Sequence, residues 1–431
     1  MAVERTFLEH TFPPEIWEFI CAELAEQKQP SPPWSASVTS ITLPARDALR
    51  ALGKSSKMLR CIAQPLLLQY YNTEDEVEGL GSFCRNILAK PQLASLVRGL
   101  EVASCPLYAV DPEILYEVAS RFRFSPGVFD ISRPPSTPTS WKTLGEPGRK
   151  IVTDLSLLAN LVPRFLPNLK CLQVRLGTHR DTRLFLHAFG KLRRLKPLES
   201  VTTLVLSSET DLFGAPDGCM LTDHEPLFSA LPNLQTLSLW NFKRLSHADN
   251  LYGPYAAVQA WRDPTDDVGQ WLPPGLRSLH MQNCVLSNHA VKALLLNCRA
   301  LEHLLYAPED ASSHHIVSRQ AVAYFEIVQL LRAAAGSTIR YLDLDIGGFK
   351  RRTYRHMLDS DLAAMWKDIH RLPHIERVTV DGDVYQCKEK TPQEDEDTYS
   401  SPSDWILVKA SGYVGERARH FQLALDQASG F

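Results

Sequence analysis

The chain has 431 residues, more than one hydrophobic core ordinarily organises, so its length points to two domains or an elongated repeat. Hydrophobic residues at 44% and charged residues at 22% exclude wholesale disorder, and a formal net charge of -3 gives no global attraction to nucleic acid or to an anionic membrane. The opening MAVERTFLEH carries acids and no continuous apolar core, and no apolar run in the chain reaches spanning length; the expectation is a soluble cytoplasmic or nuclear protein that is not exported. Nine cysteines, none in a Cys-x-x-Cys pair, predict reduced, mostly buried thiols and no structural disulfide.

The first element is a helix. Pro13 and Pro14 suit its opening turn, where amide hydrogens have no intrahelical partner. Ile16, Ile20 and Leu24, with Phe19 beside them, fall on one stripe at helical spacing and predict a buried face, while Glu15 and Glu18 complement the N-terminal dipole. After the Pro/Ser-rich KQPSPPWSASVTSITLP, a second amphipathic pattern runs through Leu49, Leu52, Met58, Leu59, Ile62 and Ala63 to Pro65, followed by LLLQYY. The result is two or three small helices, which bury little surface alone and often complete their core against a partner.

PPEIWEFICAEL followed by ALRALGKSSKMLRCIAQPLLLQYY resembles an F-box. Phe12, Pro13, Glu15 and Ile16 stand at the opening positions, and Ser56, Lys57, Arg60 and Pro65 at the closing ones. Phe12 replaces the usual leucine, and the segment from Lys28 to Pro44 is longer than the tight link usual between these helices. The resemblance implies docking of a Skp-type adaptor, with Pro13, Ile16, Ile20, Leu24, Leu49 and Leu52 as contact candidates, some of them also serving the module's own core.

Beyond this module a leucine-x-x-leucine-x-leucine pattern recurs, clearest in LPNLKCLQV, LESVTTLVL and LPNLQTLSL. Weaker copies are LRSLHM, LEHLLY, IRYLDL and IERVTV, and VRGLEV is read as opening the series. The central apolar residues Leu172, Leu204, Leu237, Leu279, Leu304, Leu342 and Val378 fall at irregular and mostly long spacings. A leucine-rich repeat needs roughly 20 to 29 residues, so the excess belongs to loops and longer helices, and a degenerate copy fits near GVFDIS. In LRSLHMQNCVLSNHAVKALLLNCRALEHLLY, Cys284 and Cys298 resemble the cysteine-containing subtype of that repeat. Val291, Leu294 and Leu295 make the helical face behind its strand, and Asn283 is placed to bond backbone at the turn. RQAVAYFEIVQLLRAAAG and DLAAMWKDIHRL read as further helices.

The fold expected is α/β: a helical F-box-like module over 11–71, a helical linker over 72–96, an irregular leucine-rich-repeat solenoid over 97–410 with parallel strands on the concave face and helices on the convex face, and a C-terminal cap or tail over 411–431. The segments 132–150 and 391–404 lack periodicity and read as loops.

No phosphate-cradling glycine loop, nucleophile elbow, zinc helix or paired-cysteine ligand set is present, so the reading is non-catalytic, without cofactor or metal. His314 and His315 read as a solvated loop, as do the basic clusters at Lys191, Arg193, Arg194 and Lys196 and at Lys350, Arg351, Arg352 and Arg355. Asp343 and Asp345 alternate on a strand and could share a face with Asp381, which would permit a weak cation site; a solvated face is the preferred reading. Residues one step from the buried strand positions must point into the solenoid's extended concave surface. In the earlier strands these are Gln173, Arg175, Ser238 and Trp240; then come His280, Gln282 and His303; Tyr341, Asp343 and Asp345 follow, with Arg377 and Asp381 last. All but Gln173 and Ser238 are nominated as target-binding, with Trp240 and Tyr341 as the aromatic anchors.

An F-box followed by leucine-rich repeats resembles the substrate receptors of SCF ubiquitin ligases, particularly the irregular forms of filamentous fungi. The resemblance implies a Skp-type adaptor, a cullin scaffold reached through it, and a target protein held by the repeats. The competing reading is a leucine-rich scaffold with a vestigial F-box, outside any ligase.

Overall fold

The computed structural model describes residues 12–26, 43–72, 79–103, 162–176, 197–208, 225–242, 272–284, 288–308, 324–344, 365–380, 383–387 and 405–409. The chain divides into two compact units, Met1–Glu209 and Thr210–Phe431. Both are α/β, with mostly parallel strands.

The first unit opens with α1 (Pro14–Glu26), α2 (Leu43–Ser55) and α3 (Lys57–Gln69). The Pro13 carbonyl accepts from the amides of Ile16 and Trp17 at 3.0 and 3.4 Å, so the helix starts where the prolines place it. Ser56 caps α3 from an extended backbone, its Oγ accepting from the Leu59 amide at 3.1 Å. Arg60 Nε donates to the Gly53 carbonyl at 3.0 Å and ties α3 to α2. Cys21, Ala45, Leu49 and Ala63 form the buried centre, with Leu24, Ala25, Leu52, Ile62, Leu66 and Leu67 packed around it.

β1 (Tyr70–Asn72) follows α3 without a loop and pairs parallel with β2 (Gly99–Ala103) after α4 (Gly79–Ala89) and α5 (Pro91–Ala94). β3 (Cys171–Leu176) and β4 (Thr203–Ser208) continue in parallel, placing Leu100, Leu172 and Leu204 in one register column. Two expectations change here. LLLQYY is not wholly helical, and VRGLEV is the second strand of the series. The cause is Tyr71, which is buried and stacks on Phe83 with centroids 4.0 Å apart, an anchor the helical pattern could not reveal.

The second unit runs α6 (Glu225–Ser229), β5 (Thr236–Trp240), β6 (Ser278–Cys284), α7 (Asn288–Asn297), β7 (His303–Pro308), α8 (Tyr324–Ala335), β8 (Tyr341–Leu344), a helical turn over 365–369, β9 (Arg377–Val380), β10 (Asp383–Cys387) and β11 (Trp405–Lys409). β5 to β9 are parallel neighbours in sequence order, with Leu237, Leu279, Leu304, Leu342 and Val378 in one fully buried column. β10 lies antiparallel to both β9 and β11, so the strands are not all parallel as expected; the hairpin pairs the backbone groups that β9 would otherwise leave open at that edge. The expected tail 411–431 lies outside the described residues, as do the loops 132–150 and 391–404 and the degenerate repeat near residue 127.

A local motif explains the shared spacing. Before β3, β4, β5, β7 and β9 a three-residue turn closes: Leu169 to Leu166, Val201 to Leu198, Leu234 to Leu231, Leu301 to Cys298 and Ile375 to Leu372. Two successive amides then donate to one carbonyl of the preceding strand's start: Arg277 and Ser278 to Gln235, Glu302 and His303 to Arg277, Arg340 and Tyr341 to Glu302, Glu376 and Arg377 to Arg340. The turn needs apolar residues three apart, both facing inward, which is the first half of the leucine pattern. Val291, Leu294 and Leu295 of α7 are fully buried, and Cys284 and Cys298 are buried free thiols, the latter pushed up to about 12 by burial. Cys284 Sγ lies 3.4 and 3.2 Å from the Leu239 and Gln282 carbonyl oxygens, which share its one S–H.

Candidate functional site

On α1 the buried face is not the one the isoleucine stripe suggests. Trp17 and Cys21 point into the helical core, at 6% and 0% exposure, whereas Phe12, Ile16 and Phe19 are 44%, 42% and 63% exposed. The line through 17, 21 and 24 is as regular as that through 16, 20 and 24; the large indole decides between them. Phe12, just before the helix, folds edge-on against Trp17 at 5.6 Å, while Ile16 and Phe19, three apart on the helix, share a face. Pro13 is exposed and Ile20 half-buried, while Leu24 and Leu52 pack half-buried on the core. Leu49 is fully buried inside the module, which removes it from the adaptor-contact candidates.

In the first unit's sheet, Glu101 is 5% exposed, and Arg175 Nη2 donates to its Oε1 at 2.7 Å across adjacent strands. Arg175 is therefore held by a buried carboxylate rather than held out to a partner, and Gln173 is buried beside them. Glu101 went unnominated, although stepping one residue on from Leu100 in VRGLEV finds it.

The second unit holds a longer array. Ser238 Oγ lies 3.1 Å from His280 Nδ1, His280 Nε2 lies 3.4 Å from His303 Nδ1, and His303 Nε2 lies 2.8 Å from Asp343 Oδ2. Register explains the contacts: Ser238 is directly opposite His280, while His303 and Asp343 are reached diagonally, since Leu305 is opposite both His280 and Asp343. Every group is satisfied when Ser238 donates to His280, His280 donates through Nε2 to His303, and His303 donates to an ionised Asp343. Burial, then the neighbouring His303, pushes His280 down to about 4 against the opposing pull of Asp343. Burial alone would raise Asp343, but hydrogen bonds from His303 and Thr379 and the charges of His303 and Arg377 hold its carboxyl below the ordinary range.

Around this chain, the Arg377 guanidinium sits 5.3 Å from the Tyr341 ring centroid and 3.5 Å from Asp343 Oδ2. Tyr341 donates its hydroxyl to Glu376 at 2.8 Å, and that bond raises the phenol above its ordinary value. Trp240 and Gln282 are register partners one step beyond Ser238 and His280. Gln282 is buried at 5% exposure and is not offered as a contact, whereas Trp240 is half-buried, with its indole nitrogen covered. Ser238, at 1% exposure, presents no accessible nucleophile. His280, His303, Tyr341, Asp343 and Arg377 are thus brought together; Asp345 and Asp381 lie outside the described residues, as do His314, His315, both basic clusters and the Asn283 side chain.

On the helix side, Gln329, Arg332, Lys367, Asp368 and Arg371 line an open cleft of about 560 Å³. Asp368 takes Arg332 at 2.8 Å and Arg371 at 3.4 Å, which commits both arginines. Among the described residues no group of three or more His, Cys, Asp or Glu is placed to hold a metal ion, and no helix is long and apolar enough to cross a membrane. In comparisons with known proteins, no family model matches the chain and no curated protein matches it.

Proposed function

We propose that the chain is the non-catalytic substrate-recognition subunit of an SCF-type cullin-RING ubiquitin ligase, its N-terminal helices an F-box that docks a Skp-type adaptor and its strand-helix units leucine-rich repeats that capture a target protein. One observation carries this reading. The helical module has a buried core of Cys21, Ala45, Leu49 and Ala63, yet Phe12, just before its first helix, and Ile16 and Phe19, three apart on that helix, stay exposed. Large apolar residues grouped on a surface while the core is complete mark a place where another chain docks. The repeated turn-and-strand units that follow supply a polar sheet face, where His303, Tyr341 and Arg377 are the accessible contacts. Such a receptor acts by holding the target near the transfer machinery, so it requires no catalytic group of its own.

The test is co-purification of the full chain with a Skp-type adaptor, alongside Ile16→Asp/Phe19→Asp. These two exposed positions can be charged without entering the module core, so the double variant should stay folded and lose the adaptor. Adaptor binding that survives the double variant would overturn the docking surface. Failure of the intact chain to bind any Skp-type adaptor would favour a leucine-rich scaffold outside any ligase.

A further inference from the structure

We propose that His280 and His303 are the two protein ligands of a divalent transition-metal site on the sheet face of the second unit, binding through His280 Nε2 and His303 Nδ1 with Zn²⁺ or Cu²⁺ as the fitting ions. The separation of the two nitrogens, 3.4 Å, is the first ground. Two imidazole nitrogens at about 2.0 to 2.1 Å from one tetrahedral ion stand about 3.3 Å from each other. The spacing of the two nitrogens is therefore already that of two ligands on one tetrahedral ion, and the rings need only turn to aim both lone pairs at it.

The far nitrogens are the second ground. A metal-bound histidine almost always gives its other ring N–H to an oxygen partner, which fixes the tautomer and the ring plane. Here both rings have that partner already: Asp343 Oδ2 at 2.8 Å from His303 Nε2, and Ser238 Oγ at 3.1 Å from His280 Nδ1. Asp343 is itself steadied by Arg377 at 3.5 Å and by a hydrogen bond from Thr379. Such a carboxylate–histidine–metal arrangement raises the basicity of the ligating nitrogen.

The protons balance without loss. In the metal-free chain His280 carries its proton on Nε2 and directs it at His303. On binding, that proton moves to Nδ1, the Ser238 hydroxyl turns from donor to acceptor, and the freed Nε2 lone pair takes the ion; His303 keeps its Nε2 proton on Asp343. The rings are half-buried, with His303 at 23% side-chain exposure, so an ion can reach them. With no third ligand of these types among the described residues, the remaining positions belong to water or to a donor brought by a bound partner. Imidazole ligands suit Zn²⁺ and Cu²⁺ and disfavour Mg²⁺ and Ca²⁺; the spacing matches tetrahedral Zn²⁺, and Cu²⁺, with its square-planar preference, draws the two rings closer together.

The experiment is calorimetric titration of the full chain with Zn²⁺ and with Cu²⁺ after chelator treatment, repeated on His280→Asn, His303→Asn and Asp343→Asn, each checked for native circular dichroism. The chain holds 14 histidines, so the readout is the difference between the intact chain and each variant. One equivalent of heat should disappear in either histidine variant, and Asp343→Asn should weaken that same equivalent by about 10 to 100-fold. Copper electron resonance of the intact chain should show two strongly coupled nitrogens, reduced to one by His303→Asn. Unchanged stoichiometry and affinity in both histidine variants would overturn the proposal, as would a copper signal with no coupled nitrogen difference. A histidine variant that fails to fold is replaced by His303→Gln and judged by the same loss.

Discussion

Replacing Arg175 with methionine tests whether the first unit's sheet face is held by a buried ion pair. Methionine keeps much of the aliphatic stem and removes the guanidinium that donates to Glu101 Oε1 at 2.7 Å. Glu101 side-chain exposure is only 6%, so the carboxylate is left without its cation where water reaches poorly. Breaking one side of a buried pair costs about 3 to 5 kcal/mol. Arg175 is itself 33% exposed, and solvent screening moves the expectation to the lower end, about 2 to 3 kcal/mol. Glu101→Gln/Arg175→Met should recover at least half of that loss, because a neutral amide tolerates the site better than a bare carboxylate. Hydrogen exchange read on peptides from β2 and β3 follows this unit directly, whatever the second unit does. Arg175→Met shifting protection by less than about 0.5 kcal/mol would refute the reasoning, since that is the size expected of an ordinary surface change.

Three further outcomes follow from the same geometry. Leu304→Ala removes a fully buried side chain at the centre of the second unit's column and should cost about 2 to 5 kcal/mol in urea unfolding, whereas Leu296→Ala, 38% exposed on α7, should stay within about 0.5 kcal/mol. Ser56→Ala deletes the cap that accepts from the Leu59 amide and should lower α3 protection by about 1 kcal/mol, with Ser56→Asp restoring it. His280 is lowered from 6.5 to about 4, so the unfolded chain binds more protons than the folded one in that interval; stability is full above about pH 7 and falls as pH drops through 6.5 toward 4, by up to about 2 kcal/mol at pH 5. Urea midpoints in chelator at pH 7.5 and 5 should show this loss, reduced in His280→Asn; equal sensitivity in both chains would rule His280 out as its source.

What the sequence disclosed and what it hid divide along physical lines. The buried columns were legible because each strand repeats a two-residue alternation behind a turn with apolar residues three apart, and both periods are local. Leu172, Leu204, Leu237, Leu279, Leu304, Leu342 and Val378 therefore fall at the register positions that their spacing implies. The face of α1 was misjudged because Trp17 and Ile16 occupy adjacent helical lines, and only packing against α2 and α3 selects one. Leu49 followed the same error in reverse: its period is right, but nothing local says whether an apolar residue fills its own core or a partner's. The array from Ser238 to Asp343 was hidden for another reason. Its members are 42, 23 and 40 residues apart, a sequence of intervals with no pattern, and two of its contacts run diagonally across strands. Proposing residues that face outward could nominate its histidines, but only register could join them.

That array also bears on what the sheet face is for. On the first unit's face Val205 is buried, and Glu101 meets Arg175. The second unit instead places two imidazoles side by side and holds His280 so far from its ordinary proton affinity that it stays neutral at physiological pH. Apolar residues at 280 and 303 would remove that desolvation cost and leave the buried column of Leu279, Leu304 and Leu342 untouched. Ser238 and Asp343 fix both rings from the outside while the inner nitrogens face only each other. Those two nitrogens are the place where the proposed ion would sit, and its binding there is what the histidine and aspartate variants test.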